Sequence, residues 1–248
     1  MGTFPVQGST EYTVDLIEGR HTSLDNGTPS DWVHIAVPIG SDFYGTLDVP
    51  TGWHRLEFRL MNEGQELDIL TVEPVGVGEV FIVAGQSNSA NHGDYPLIPT
   101  DPRVSTWGPN GWRFGHDPQP AATGNSGSPW PALGDLLSNR YDVPIGFLSV
   151  GYGGTKVDRW VPAQNDLFPR ITNALDAVQP SGARAILWHQ GESNAGGTTT
   201  EDYAEMMAAV VLGSRAHTGV EFPWLLARVG FVPNGDPCLL YTSPSPRD

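Results

Sequence analysis

Positive charge is scarce in this chain. Its 248 residues hold 13 Lys and Arg against 28 Asp and Glu, a formal charge of −15 at neutral pH. No basic cluster occurs anywhere. Nucleic-acid binding depends on neutralising phosphates, and docking on an anionic membrane draws on the same residue types, so neither partner is expected. Cysteine is nearly absent as well. Cys238 stands alone, which excludes an internal disulfide and leaves the compartment open. No apolar run reaches the length of a spanning helix. Residues 1–15 carry no charged n-region and no apolar stretch, so no signal peptide is visible. What is plentiful is Gly (30) and Pro (22), which promises many loops. An apolar fraction of 39% still supports a real core.

Two patterns divide the chain. Residues 11–75 read as β. Trp32 to Val37 is mostly apolar, and Leu56, Phe58 and Leu60 alternate with Arg55, Glu57 and Arg59, as in a half-buried strand. Asn62-Glu63-Gly64-Gln65 is a turn signal before a second strand, Leu67 to Val72, so a hairpin is expected. Residues 1–76 are therefore read as a small partial β-rich module, too short for a complete sandwich. From Val80 the pattern changes. Val80–Ala84 is a short apolar strand. A long Gly-, Pro- and Trp-rich loop is expected from Asn91 to Pro129. A helix opens at Trp130-Pro131, a strand spans Ile145–Val150, a helix Leu167–Val178, a strand Ala183–Trp188, a helix from about Thr199 to Ala216, and a strand Pro223–Val229. Such alternation implies a parallel sheet with helices on both faces. Residues 77–237 are read as this α/β domain, incomplete at its C-terminal end. Residues 238–248 fit no further unit and read as a non-native or linker tail.

Three polar clusters each follow a strand directly: Gly85-Gln86-Ser87-Asn88, Gly151-Tyr152-Gly153-Gly154, and His189-Gln190-Gly191-Glu192-Ser193-Asn194. In a parallel sheet all three lie at the carboxyl edge, where open α/β sheets bind ligands. Together they supply a hydroxyl nucleophile, glycines that let backbone N–H groups approach a ligand, and side-chain amides. Those are the parts needed to attack a carbonyl and stabilise an oxyanion. Ser89 is a competing hydroxyl. His189, Glu192, His92 and Asp94 admit a metal reading, but their order and spacing match no metal motif. Glu192 also reads as a hydrogen-bonded support for its turn. Asp158, Arg159 and Trp160, and Trp107, Trp112 and Trp130, read either as a sugar-contacting rim or as loop and packing residues.

These clusters resemble the sialate O-acetylesterase and carbohydrate esterase family 6 branch of the SGNH (GDSL-like) hydrolases over about residues 78–232. The resemblance implies an α/β fold, a flavodoxin-like three-layer α/β/α sandwich with a parallel sheet, preceded here by the small β module. It implies a serine esterase that removes acetyl groups from a carbohydrate, of sialic acid or plant-polysaccharide type, through an acyl-enzyme and without metal or cofactor. Carried over by position, Ser87 is the nucleophile and its own N–H an oxyanion donor. Gly153 is the second backbone donor and Gln190 the side-chain amide donor. Gln86, Asn88, Gly154, Glu192 and Asn194 are support or substrate contacts. The family's base lies in an Asp-x-x-His motif downstream, and no such motif occurs after Asn194. His217 is the only later histidine and reads as a helix C-terminal cap. The expectation is an esterase fragment that ends before its base, with an inactive sugar-binding protein as the alternative.

Overall fold

The computed structural model describes residues 2–229. Cys238, the expected tail at 238–248 and the end of the expected 77–237 domain lie outside the described residues. The chain divides into two compact units, Met1–Gly78 with Tyr141–Pro144, and Glu79–Arg140 with Ile145–Asp248.

The first unit is all antiparallel β. Its strands are β1 (Gly2–Ser9), β2 (Leu16–Ser23), β3 (Val33–Ala36), β4 (Asp42–Val49), β5 (Gly52–Asn62) and β6 (Gln65–Val77). They form a two-stranded sheet, β1-β4, and a four-stranded sheet in the order β3-β2-β5-β6. The expected hairpin is β5–β6. Asn62 pairs with Gln65, and Glu63 and Gly64 between them both take positive φ (49° and 78°), the geometry of a two-residue turn that matches strand twist. Ile17, Ile35, Leu47, Val49, Leu56 and Phe58 form the buried cluster. β4 alternates, with Phe43, Leu47 and Val49 turned to the core, and β1 adds Phe4 and Val6 to the same cluster. Pairing and this packing together hold them in place.

At one end of β2 and β5, His21 and His54 meet edge to face with ring centroids 5.3 Å apart. His21 Nδ1 and both ring nitrogens of His54 are buried with no hydrogen-bond partner among the described residues. Burial, and then His54, pull the His21 pKa below 6.5.

In the second unit an apolar strand lies in the middle. β7 (Glu79–Gly85) is flanked by β10 (Ile145–Ser149) and β11 (Ala185–His189) in the sheet β12-β11-β7-β10-β8-β9. The others are β8 (Val104–Gly108), β9 (Gly111–Phe114) and β12 (Trp224–Leu226). All neighbours are parallel except β8 and β9. Both faces of β7 are covered, so its residues are apolar in succession rather than alternately. On one face Ile82, Ala84, Leu148, Ile186 and Trp188 pack against α2 (Phe168–Ala177) and α3 (Thr200–Thr218) through Ile171, Leu175, Met207 and Val210. On the other, Phe147 meets Phe81 and Trp130 of α1 (Trp130–Tyr141) at 6.0 and 5.9 Å. Thr199 caps α3, its hydroxyl accepting from the Asp202 N–H (3.1 Å), and Gly219 ends it at φ 70°. No helix among the described residues is long and apolar enough to cross a membrane.

Two expectations change. The segment from Asn91 to Pro129 is not loop throughout, since β8 and β9 form a hairpin with Trp107 opposite Trp112. Four- and five-residue strands between glycines leave too short a period to read. The last strand is three residues rather than Pro223–Val229.

The histidine pair makes a pH prediction. A histidine whose folded pKa is lowered binds fewer protons than it does unfolded, so stability falls as pH drops through 6.5 toward the depressed value. Thermal unfolding followed by circular dichroism between pH 7.5 and 5 (about the histidine range) should show a steeper loss for the native chain than for His21→Phe. Equal slopes would refute it.

Candidate active site

β7 ends at Gly85, where φ is +126°. A Cβ there would stand 2.2 Å from the His189 carbonyl oxygen. Glycine is what lets β7 and β11 run this close at their carboxyl ends. The chain then enters a single 3-10 turn, Ser87–Ser89.

The residues on either side of Ser87 are tied to the loop after β11. Gln86 is 4% exposed, and its N–H donates to the His189 carbonyl (3.0 Å). Its side-chain Oε1 accepts from the Ser193 N–H (3.1 Å), the Gly191 N–H (3.4 Å) and Gln190 Nε2 (3.2 Å). Asn88 Nδ2 donates to Glu192 Oε1. The same carboxylate oxygen lies 3.7 Å from His189 Nε2, while Glu192 Oε2 is buried with no partner among the described residues. Ser89 is fully buried. Its hydroxyl donates to the Gln86 carbonyl (2.7 Å), and its own carbonyl accepts from Ser149 Oγ (2.9 Å) and Trp130 Nε1 (3.1 Å). Ser87 is only half-buried. It lines a cavity of about 240 Å³ together with Asn88, Asp94, Tyr95, Leu97 and Pro129. As the first residues of the turn, Ser87 and Asn88 have no carbonyl of that turn for their N–H groups.

The second and third clusters also meet. Asn194 Oδ1 accepts from the Val157 N–H (3.0 Å), and the Thr155 carbonyl accepts from Gln190 Nε2 (3.0 Å). The Thr155 hydroxyl donates to the Tyr152 carbonyl (2.8 Å) and accepts from Trp160 Nε1 (3.0 Å). Gln190 is bonded on both ends of its amide. Its amide nitrogen faces three acceptors, Gln86 Oε1, the Thr155 carbonyl and Asn194 Oδ1 (2.7 Å), with only two hydrogens to give. Its Oε1 and carbonyl both accept from the Tyr203 hydroxyl (2.9 and 3.0 Å), which burial pushes up to about 12 and so keeps protonated. Gln190 is therefore spent inside the framework. The Gly153 N–H donates to Thr123 Oγ1 (2.8 Å), and Gly154 is exposed at φ +71°.

Of the aromatic residues weighed as a rim, Trp160 and Trp130 are buried; Trp160 lies edge-on to Trp188 at 5.4 Å. Arg159 pairs with Asp166 (2.6 Å). No three His, Cys, Asp or Glu converge on a cation site among the described residues. His217 pairs with Asp176 at 2.7 Å. Both stand in the last turns of their helices, at the amino edge of the sheet and away from Ser87. His92 packs beside Gly153, where a Cβ would lie 2.5 Å from its Nε2. No hydrogen bond among the described residues joins a histidine to the Ser87 hydroxyl.

Sequence reading did not single out Asp117. It is 5% exposed and accepts from the N–H groups of Leu97 (3.1 Å) and Ser128 (2.7 Å), from Ser128 Oγ (2.6 Å) and from Gln119 Nε2 (3.0 Å). It fastens both segments that carry the cleft wall. Only a periodic signal would have exposed it, and an irregular loop has none.

Gln86→Leu should test the framework. It leaves the Gly191 and Ser193 N–H groups without their acceptor, at a cost of about 2 kcal/mol. The melting temperature should fall by roughly 4–8 °C. A change within about 1 °C would show that these bonds do not hold the turn.

Comparisons with known proteins follow the same lines. No curated protein gives a significant match. Among solved structures, a carbohydrate acetylesterase from Xanthomonas citri is similar at 22% identity and a TM-score of 0.53, with 91% of this chain aligned to 56% of that one. The chain thus spans a little over half the length of that relative. An Arabidopsis thaliana protein is similar at 20% identity and a TM-score of 0.51, over 61% of this chain and 74% of that one. The family model for carbohydrate esterases, sialic acid-specific acetylesterases, matches residues 77–236. By that match, which takes in all three polar clusters and the sheet that carries them, the chain belongs to the carbohydrate esterase, sialic acid-specific acetylesterase family.

Proposed function

We propose that the chain is a serine esterase that removes acetyl groups from a carbohydrate, with Ser87 as its nucleophile. The observation that carries it is the presentation of Ser87. It is the half-buried hydroxyl of a turn at the carboxyl end of the central strand, opens on a cavity, and is held on both sides by bonds to the loop after β11. A nucleophile so fixed needs little reorganisation to reach a bound carbonyl. The family assignment gives the substrate type.

In this reading Ser87 Oγ attacks the acetyl carbonyl carbon. The carbonyl π pair moves to oxygen, and the Ser87 N–H stabilises the oxyanion. A base from solvent, water or added imidazole, takes the Ser87 hydroxyl proton during the attack and returns it to the sugar oxygen as the intermediate collapses to acetyl-Ser87; water then attacks the acetyl carbon, one of its protons returns to Ser87 Oγ, and acetate leaves. Gly153 contributes its N–H by exchanging Thr123 Oγ1 for the oxyanion. Gln190 serves as the internal tie that holds Gln86. The negative field of Glu192 and Asp94 makes these donors more important, since developing charge needs aimed dipoles. The sheet supports the flavodoxin-like reading, because β10-β7-β11-β12 runs in the order 2-1-3-4 of that fold, with the β8–β9 hairpin added outside β10.

The absence of a histidine bonded to Ser87 among the described residues favours keeping a second reading, a sugar-binding protein without turnover. One experiment separates the two. Without a base, turnover falls by roughly 10⁶, so hydrolysis of p-nitrophenyl acetate by this chain should be very slow. Imidazole added as an external base should raise it above the rate that imidazole gives without protein, and Ser87→Ala should remove that protein-dependent excess. Rescue that persists in Ser87→Ala would overturn the nucleophile. No rescue at all would leave the binding protein.

A further inference from the structure

The wall of the Ser87 cleft includes residues 93–97, and this segment is fixed at both ends. The Gly93 N–H donates to the Gly127 carbonyl (2.8 Å), and the Leu97 N–H donates to buried Asp117 (3.1 Å). Between them the Tyr95 carbonyl rests on Gly127, where a Cβ would come within 1.9 Å of its oxygen. The backbone of Tyr95 is thus held while its side chain is 69% exposed. A large aromatic side chain left in water on a fixed backbone, at the mouth of a cleft that holds a serine hydroxyl, is a flat apolar platform already in place. Little entropy is lost when a ligand stacks on it.

Charge narrows the ligand. Asp94 lines the cleft beside Tyr95, and no Lys or Arg lines it among the described residues. The nearest cations in sequence to the glycine turn are elsewhere: Arg159 is paired with Asp166, and Lys156, the chain's one lysine, is not part of the lining. A sugar carboxylate entering here meets another carboxylate and no cationic partner in the lining among the described residues. A hydroxyl meets an acceptor.

We propose that Tyr95 and Asp94 form a subsite beside Ser87 that takes a neutral O-acetylated pyranose, Tyr95 stacking on the C–H face of the ring and Asp94 accepting a ring hydroxyl, and that discriminates against sugars bearing a carboxylate. The proposal rests on the esterase reading of Ser87. It separates this chain from the sialic acid named in its family's description.

Binding tests it without needing turnover. The chain in a Ser87→Ala background is titrated by calorimetry with methyl 2-O-acetyl-β-xylopyranoside and with 9-O-acetyl-N-acetylneuraminic acid. The neutral sugar should bind about tenfold more tightly, a gap of about 1.4 kcal/mol, which narrows at high salt. Tyr95→Ala should weaken the neutral sugar about tenfold, and Tyr95→Phe should restore it, since the ring and not the hydroxyl does the stacking. Asp94→Asn should strengthen the acidic sugar several-fold at low salt. Equal or tighter binding of the acidic sugar, no binding of either, or no effect of Tyr95→Ala overturns the subsite. The Ser87-dependent, imidazole-rescued hydrolysis of p-nitrophenyl acetate is too small a reaction to need the rim. Its failure with the binding pattern intact would overturn the esterase reading and not the subsite; the converse pattern would overturn only the subsite.

Discussion

One buried oxygen, Oε1 of Gln86, joins the two loops on which the site depends. It collects two backbone N–H groups and a side-chain amide from the segment after β11. Leaving those donors unmade in a buried turn is expensive, so the loop after β11 cannot move without the turn that holds Ser87. Gly85 makes this possible by letting the two strands end within backbone contact. Asn88 and Glu192 close the other side. A serine with both neighbours anchored has few orientations open to it.

The apolar arrangement beneath explains why these loops meet at all. β7 lies between β10 and β11 and is covered on both faces. β7, β10 and β11 run parallel and end at the same edge, so polar residues far apart in sequence arrive together. The outer cluster at Trp160 and Trp188 extends the core up to that edge. Trp130 and Trp160, which the sequence alone leaves open as sugar contacts, are thereby part of the packing, while Tyr95, in a stretch without periodicity, stands in water.

The cleft is acidic where many anion-handling sites are basic. Asp94 lines it and Glu192 is bonded to the lining Asn88, with no cation in the lining among the described residues. In the reaction proposed for Ser87, an oxyanion relies on backbone N–H groups rather than on charge. The same field bears on which sugars approach, and it follows from a chain-wide shortage of lysine and arginine.

Much of this architecture is legible in the order of residues. The apolar runs at Val80, Ile145 and Ala185, each stopped by a polar cluster, are sufficient for a parallel sheet with its chemistry at one edge, because buried parallel strands need apolar residues in succession. The helix at Thr199 announces itself by its cap, and the hairpin at Asn62 by its turn. Strands β1, β8 and β9 are not legible, since each is too short or too interrupted by glycine and proline to show a period, and β4 shows its alternation only once Phe43, Leu47 and Val49 are seen to face the core. The role of Gln190 is hidden for the same reason. An amide looks identical in sequence whether it faces a ligand or three internal acceptors, and only the tertiary contacts with Gln86, Thr155 and Asn194 decide it. Sequence by itself determined the parallel strands and the helices between them from Val80 onward, the β8–β9 hairpin excepted, and with them the three clusters and Ser87. The tertiary structure decided which side chains face the cleft and which are consumed in holding it, because that depends on hydrogen-bond geometry between segments a hundred residues apart.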